Sequence, residues 1–157
     1  MVFLEEEIMK LEYVSYLIIL NTILYLTSFI LHFFKKENKM LLYLAVFFNL
    51  ATLIVRSIIA KHPPITNAYE TVLLFSFLIS LRLIFWTKQI SKTVGNWIIL
   101  AVVGLNILSL VLPETMKTPR PLMPALNSFW MYIHVPAYMV GYATLAIAFV
   151  YAIILFL

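Results

Sequence analysis

The stretch FWMYIHVPAYMVGYATLAIAFVYAIILFL, residues 129–157, is the clearest indication of the fold class of this protein. It contains no aspartate, glutamate, lysine or arginine, and it exceeds the roughly 20 apolar residues that a helix needs to cross a bilayer. The whole chain of 157 residues has a similar character, since it is 64% hydrophobic, 11% charged and has a mean hydropathy of +1.01. A soluble domain carries about 25% charged residues. The sequence therefore predicts an integral membrane protein.

Five apolar runs, separated by short polar connections, predict an all-α polytopic membrane protein with about five transmembrane helices. The predicted spans form a single integral membrane domain over residues 1–157 and lie at about 13–34, 40–60, 70–87, 97–112 and 129–157. The three tryptophans fall at the ends of these spans, where aromatic side chains prefer to lie. Because no polar anchor follows the last run, we expect the N-terminal part of a larger or split protein.

The basic residues of the connections predict the orientation. Five of them follow spans one and three, and four lie near the N-terminus and in the other two connections. By the positive-inside rule, this places the N-terminus and the 113–128 loop outside. The two groups are Lys35, Lys36, Lys39, Lys88 and Lys92 against Lys10, Lys61, Lys117 and Arg120.

Several classes of chemistry lack their residues here. The chain has no cysteine and no aspartate, which excludes disulfides, thiol catalysis and thiolate metal sites. Its seven acidic residues are all glutamates, so paired-carboxylate and two-metal hydrolysis have almost nothing to use. The basic residues stand at the ends of apolar runs, which is typical of lipid headgroup contact. We expect the lipid bilayer as a partner and no nucleic acid.

His134 is the main candidate for metal binding. On a helix it shares a face with Trp130 and Gly141, and Pro136 beside it removes a backbone donor and predicts a local bend. An imidazole at the membrane surface suits an axial ligand of haem iron. From spacing alone, an interfacial histidine bonded to loop carbonyls is the more frequent outcome, so both hypotheses stay open. The face continues through small residues, which are Ala137, Gly141, Thr144 and Ala148.

Four other polar residues have weaker signals. His62, beside two prolines, is expected to face solvent, and His32 is expected at the opposite membrane interface, with a ligand role open for both. Arg56 and Glu70 lie near the outer ends of adjacent antiparallel spans. Ionisable groups there need a partner or a function. We expect either an ion pair or an arginine that faces an anionic ligand such as a propionate.

Two motifs resemble the haem-handling protein family of cytochrome c biogenesis, the CcsA/ResC type or system II cytochrome c synthase. The loop PPITNAYET, residues 63–71, is similar to the family's Pro-x-Ser/Thr-Asn-x-Tyr-Glu signature. The stretch PLMPALNSFWMYIHVPAYMVGYA, residues 121–143, is similar to its Leu-x-Pro-Ala-Leu-x-Ser-x-Trp-x-x-x-His-Val pattern. The related CcmC type shares Tyr-x-His-Val-Pro-Ala but lacks the Pro-Ala-Leu-Asn-Ser segment.

The resemblance implies a membrane component that binds haem b at the outer membrane face and presents it for covalent attachment to apocytochrome c. His134 would be an axial ligand of the haem iron, and Trp130 would also bind the cofactor. The implied partners are apocytochrome c, a CcsB/ResB-type membrane protein, and a C-terminal or separate subunit that carries a tryptophan-rich haem loop.

That tryptophan-rich loop is absent from this sequence, so the resemblance implies part of a cytochrome c synthase (haem lyase), inactive without the missing portion. The implied location is the inner (cytoplasmic) membrane, with the thylakoid membrane as the alternative. Two other function classes stay open. One is a haem-binding anchor subunit of a respiratory complex, and the other is a small membrane transporter or structural protein without a cofactor.

Overall fold

The computed structural model describes residues 2–34, 39–86, 89–119 and 128–156, with the side chains of residues 2–11 outside the description. Its regular structure consists of helices, and five of them are long and apolar enough to cross a membrane. The predicted all-α polytopic fold is therefore confirmed. The helices are α1 Val2–Phe33, α2 Lys39–Ala60, α3 Ala68–Trp86, α4 Lys92–Val111, α5 Glu114–Lys117 and α6 Phe129–Phe156.

Two helix starts differ from the predicted span limits. Helix α1 begins at Val2, well before the apolar run, and α4 begins at Lys92 instead of near Trp97. Ser91 explains the second difference, because its side chain accepts a hydrogen bond from the backbone N–H of Val94 at 3.4 Å. A serine at this position caps the helix and lets the polar residues after it form the first turn.

The first four long helices form the centre of the structure. Helix α1 packs against α2 and α4, and α3 packs against the same two neighbours, so the four helices enclose an apolar interior. Two clusters of buried side chains fill it, one that includes Ile18 and Leu73 and one that includes Ile98. Helix α6 packs on the outside, against α3 and α4, and its buried residues are only Met131, Ala143 and Ile147. Most of the surface of α6 is therefore uncovered.

A polar layer crosses the apolar core. Asn49 Nδ2 on α2 donates to Ser76 Oγ on α3 at 2.8 Å. Ser76 Oγ in turn donates to Asn106 Oδ1 on α4 at 3.3 Å, and none of the three residues is exposed. Inside a bilayer no water competes for such groups, so hydrogen bonds between helices help to hold them together. This layer fixes the relative positions of α2, α3 and α4.

Some sequence predictions fall outside the described residues. Residues 120–127 carry most of the Pro-Ala-Leu-Asn-Ser part of the second motif, and they belong to this group. So do residues 35–38 and 87–88, which hold several of the lysines that were counted for the orientation. The placement of the N-terminus outside stays a prediction.

Candidate functional site

His134 lies near the start of α6 and is exposed. The helix continues through Pro136 without a break. The buried Ala143 follows nine residues later, which corresponds to a rotation of about 180° around the helix axis. The imidazole thus lies on the face of α6 opposite Ala143, and because it is exposed an external ligand can reach it.

Aromatic residues lie one turn before and one turn after His134 on α6. The ring centroid of Tyr138, one turn further on, is 4.4 Å from that of His134, with the two rings nearly perpendicular at 85°. Tyr138 stacks in turn on Tyr142 at 6.2 Å. Trp130, one turn before His134, is 73% exposed. Neither nitrogen of the His134 ring makes a hydrogen bond to a described residue, so both are available for a metal or another partner.

The small residues on this face leave room beside the imidazole. Gly141 is exposed, and a Cβ atom added to it would meet no atom within 4 Å. Ala137 and Ala148 are also exposed, whereas Thr144 is partly covered. A helix face with small side chains allows a flat molecule or another helix to come close to the backbone. The structure shows this predicted face to be open over the described residues.

Arg56 and Glu70 form a buried ion pair. Arg56 Nε donates to Glu70 Oε1 at 3.1 Å, and both side chains are 0% exposed. The second carboxylate oxygen of Glu70 accepts hydrogen bonds from the backbone N–H and the hydroxyl of Thr66, at 3.0 and 2.8 Å. Of the two alternatives left open by the sequence, the structure shows the ion pair. Full burial places the guanidinium inside the bundle, which does not support the alternative of an arginine that faces an external propionate.

Residues of the first motif contact both members of this ion pair. Asn67 Oδ1 accepts a hydrogen bond from the backbone N–H of Glu70 at 2.8 Å and so caps the start of α3. The ring of Tyr69 lies 5.2 Å from Arg56 Cζ, close enough for a cation–π contact. The segment from Thr66 to Glu70 therefore has a structural role, because its side chains hold Arg56 in place.

The other two histidines do not join His134. His62 is buried, with Nδ1 2.9 Å from the carbonyl oxygen of Pro63, so the expectation that it faces solvent was wrong. In the connection between α2 and α3, which contains two prolines, carbonyl groups are not used in helical hydrogen bonds. The His62 ring lies against one of these carbonyls. His32 is half-buried at the far end of α1. Among the described residues, no three His, Cys, Asp or Glu side chains form a metal-binding group.

The fold and this face define a polytopic membrane protein with one open, histidine-bearing helix surface. A family model described as "Cytochrome C assembly protein" matches residues 65–157, more than half of the chain. The chain belongs to this family, and within it to the CcsA type. It is thus a membrane protein of cytochrome c biogenesis.

The curated relatives carry the name "Cytochrome c biogenesis protein CcsA". The one from Prochlorococcus marinus strain NATL2A is 32% identical over 117 residues, covering 72% of this chain and 36% of the relative. The one from strain MED4 is 32% identical over 137 residues, covering 84% and 43%. The Adiantum capillus-veneris protein is 29% identical over 118 residues, covering 73% and 35%. The chain thus spans less than half the length of these relatives, and no solved structure matches it significantly.

Proposed function

We propose that this chain binds haem b at the outer membrane face through His134 and presents it for covalent attachment to apocytochrome c. The observation that carries the proposal is the exposed imidazole of His134, which makes no hydrogen bond to a described residue. Histidine is a common axial ligand of haem iron, and one such ligand needs only one free ring nitrogen.

The surroundings of His134 suit a flat aromatic macrocycle. Tyr138 holds the imidazole on one side by an edge contact, and Trp130 offers an exposed ring one turn away. Gly141 leaves the helix surface open beside them. Side chains of this kind bury apolar area and stack on aromatic faces. In this proposal the described residues supply one axial ligand and one apolar wall, and the chain contributes half of a haem site.

The other half of the site comes, in this proposal, from a C-terminal or separate subunit with a tryptophan-rich loop, together with a CcsB/ResB-type membrane partner. This chain has no cysteine, so the thiols that form the thioether bonds belong to apocytochrome c. We therefore propose that the chain is part of a cytochrome c synthase of the inner membrane and does not complete the reaction alone.

A haem anchor subunit of a respiratory complex is the second function class considered above. Such a subunit needs histidines at the middle of its spans. All three histidines of this chain lie elsewhere: His134 near the start of α6, His32 at the end of α1, and His62 in a connection. Their positions favour a surface site over a haem within the bilayer.

The test is co-expression of the chain with a tryptophan-loop subunit and a CcsB/ResB-type partner in a host that lacks its own cytochrome c synthase. We expect a haem absorption spectrum in the purified assembly and covalent haem in a reporter cytochrome c. An assembly that forms but is colourless, with no covalent haem in the reporter, contradicts the proposal.

A further inference from the structure

A basic cavity lies at the end of the bundle opposite the Arg56–Glu70 pair. It measures about 210 Å³ and is enclosed by the end of α1, the end of α3 and the starts of α2 and α4. His32, Lys39 and Lys92 line it, together with the hydroxyl groups of Ser28 and Ser91. None of its described lining residues is acidic. The described lining of the cavity is therefore basic and polar, which favours a negatively charged group.

Two buried polar atoms near this cavity have no hydrogen-bond partner among the described residues. A second cavity of about 610 Å³ shares His32 and Lys92 with the first, and Asn96 also lines it. His32 Nε2 and Asn96 Oδ1 are buried and have no hydrogen-bond partner. A buried polar atom without a partner is unfavourable, because it has lost its hydrogen bonds to water. His32 Nε2 can donate to an anion in the appropriate tautomer, whereas Asn96 Oδ1 can accept a hydrogen bond from a headgroup hydroxyl.

An apolar groove continues from the second cavity toward the membrane interior. Trp97 lines both, and the groove of about 590 Å³ runs between α4 and α6 along Leu100, Ala101, Val150 and Ile154. Its lining is almost entirely hydrocarbon, in contrast to the basic cavity. From the end of the bundle toward its interior, the lining of the three cavities is thus first basic, then mixed and finally apolar. A molecule with an anionic head and a long apolar tail matches this order.

We propose that this end of the bundle binds an anionic phospholipid. Its phosphate lies against His32, Lys39 and Lys92, and one acyl chain follows the groove between α4 and α6. Attraction between the lysines and an anionic headgroup favours anionic lipids over neutral ones. Burial of the lipid acyl chain against Trp97 adds apolar contact. With the orientation predicted above, the lipid belongs to the cytoplasmic leaflet. The site is separate from the face that bears His134.

The test is native mass spectrometry of the chain in neutral detergent, with phosphatidylglycerol and phosphatidylcholine of identical acyl chains as probes. We expect one retained phosphatidylglycerol per chain and at least about tenfold weaker retention of phosphatidylcholine, because two lysines contribute about fivefold each. Lys39→Gln and Lys92→Gln should each lower the affinity for phosphatidylglycerol by about fivefold. Lys61→Gln is the matched control, since Lys61 is an exposed lysine at the opposite end.

Further variants separate a lipid site from a phosphate site and from misfolding. Lys39→Arg and Lys92→Arg keep the charge and should retain phosphatidylglycerol. Trp97→Ala should weaken phosphatidylglycerol retention, and millimolar inorganic phosphate should not displace the lipid. Equal retention of both lipids, an equal effect of Lys61→Gln, or failure of the arginine variants overturns the proposal. Displacement by inorganic phosphate, with no effect of Trp97→Ala, overturns it as well by showing a site for free phosphate.

Discussion

Arg56 Nε lies 3.1 Å from Glu70 Oε1, and neither side chain is exposed. The contact joins the last turns of α2 to the first turn of α3 across the loop between them. Thr66 binds the other oxygen of the same carboxylate, so Glu70 holds both the loop and the arginine. A buried charge that loses its partner keeps its desolvation cost. The stability of the protein should therefore be sensitive to substitution of either residue.

Arg56→Met should therefore be strongly destabilising. The change leaves the carboxylate of Glu70 buried without its cation, and we expect the free energy of unfolding to fall by about 3–5 kcal/mol. The double variant Arg56→Met with Glu70→Gln removes both charges and should recover part of that loss. Thermal unfolding of the detergent-solubilised chain measures these two variants and the single variant Glu70→Gln. A double variant whose loss equals the sum of the single losses would show that the two residues are not coupled.

Exchanging the two charges should restore only part of the stability. In Arg56→Glu with Glu70→Arg an ion pair can form again, but the arginine at position 70 cannot accept the two hydrogen bonds that Thr66 donates. We expect the exchanged variant to unfold at a temperature between those of Arg56→Met and the native chain. Native-like stability would mean that the Thr66 contacts contribute nothing.

Asn67→Ala should destabilise the start of α3. The side chain accepts a hydrogen bond from the backbone N–H of Glu70, and loss of an N-cap costs about 1 kcal/mol. Asn67→Ser is the matched control, because serine also caps helices well and should retain most of the stability. If alanine and serine variants unfold alike, in the same thermal assay, the cap is not the role of Asn67.

His134→Ala should remove the haem ligand and leave the fold intact, because the side chain is exposed. In the assembly with the tryptophan-loop partner we expect lower haem content, an altered haem absorption spectrum and loss of cytochrome c maturation. Added imidazole should partly fill the vacant position and restore the spectrum. His32→Ala is the control and should leave this haem unchanged. An unaltered spectrum, haem content and maturation in His134→Ala would refute the assignment.

Tyr138 should act as a positioning residue for His134. Its ring contacts the imidazole edge-on at 4.4 Å, and such aromatic contacts contribute about 0.5–1.5 kcal/mol. Tyr138→Ala should therefore weaken haem retention by about two- to tenfold. Tyr138→Phe keeps the ring and should behave like the native chain, since the contact needs no hydroxyl. Equal haem retention in the two variants would exclude a positioning role.

The orientation can be tested by labelling single cysteines, since the native chain has none. A cysteine that replaces Lys117 should react from outside with a membrane-impermeant maleimide in intact cells. A cysteine that replaces Lys88 should react only after permeabilisation. The reverse pattern would place the 113–128 loop and His134 on the inner side, and the proposed delivery of haem at the outer face would then be wrong.

Sequence reasoning was accurate where a single residue type or a long pattern decides the outcome. The five spans follow from the length of apolar runs, because a bilayer demands about 20 such residues per crossing. The Arg56–Glu70 pair followed from two ionisable groups at similar depth in neighbouring spans. The start of α4 was missed, because the capping role of Ser91 depends on local backbone geometry.

Other features had a signal in the sequence that was not used. Asn49, Ser76 and Asn106 are polar residues inside apolar spans, and such residues usually contact one another. The burial of His62 had no comparable signal, since a loop histidine beside prolines looks the same whether its ring faces inward or outward. The burial of the His62 side chain depends on how the outer loop packs.

The amino-acid sequence was sufficient to predict the number of membrane spans, the exclusion of thiol chemistry, the candidate ligand His134 and the family resemblance. These depend on composition and on the order of residues along the chain. Three further features depend on how the helices pack. His134 is exposed on α6, Asn49, Ser76 and Asn106 meet in one layer, and Lys39 and Lys92 line the same cavity. In a membrane, apolar side chains suit lipid and protein interior equally well, so hydrophobicity does not fix which face of a helix packs.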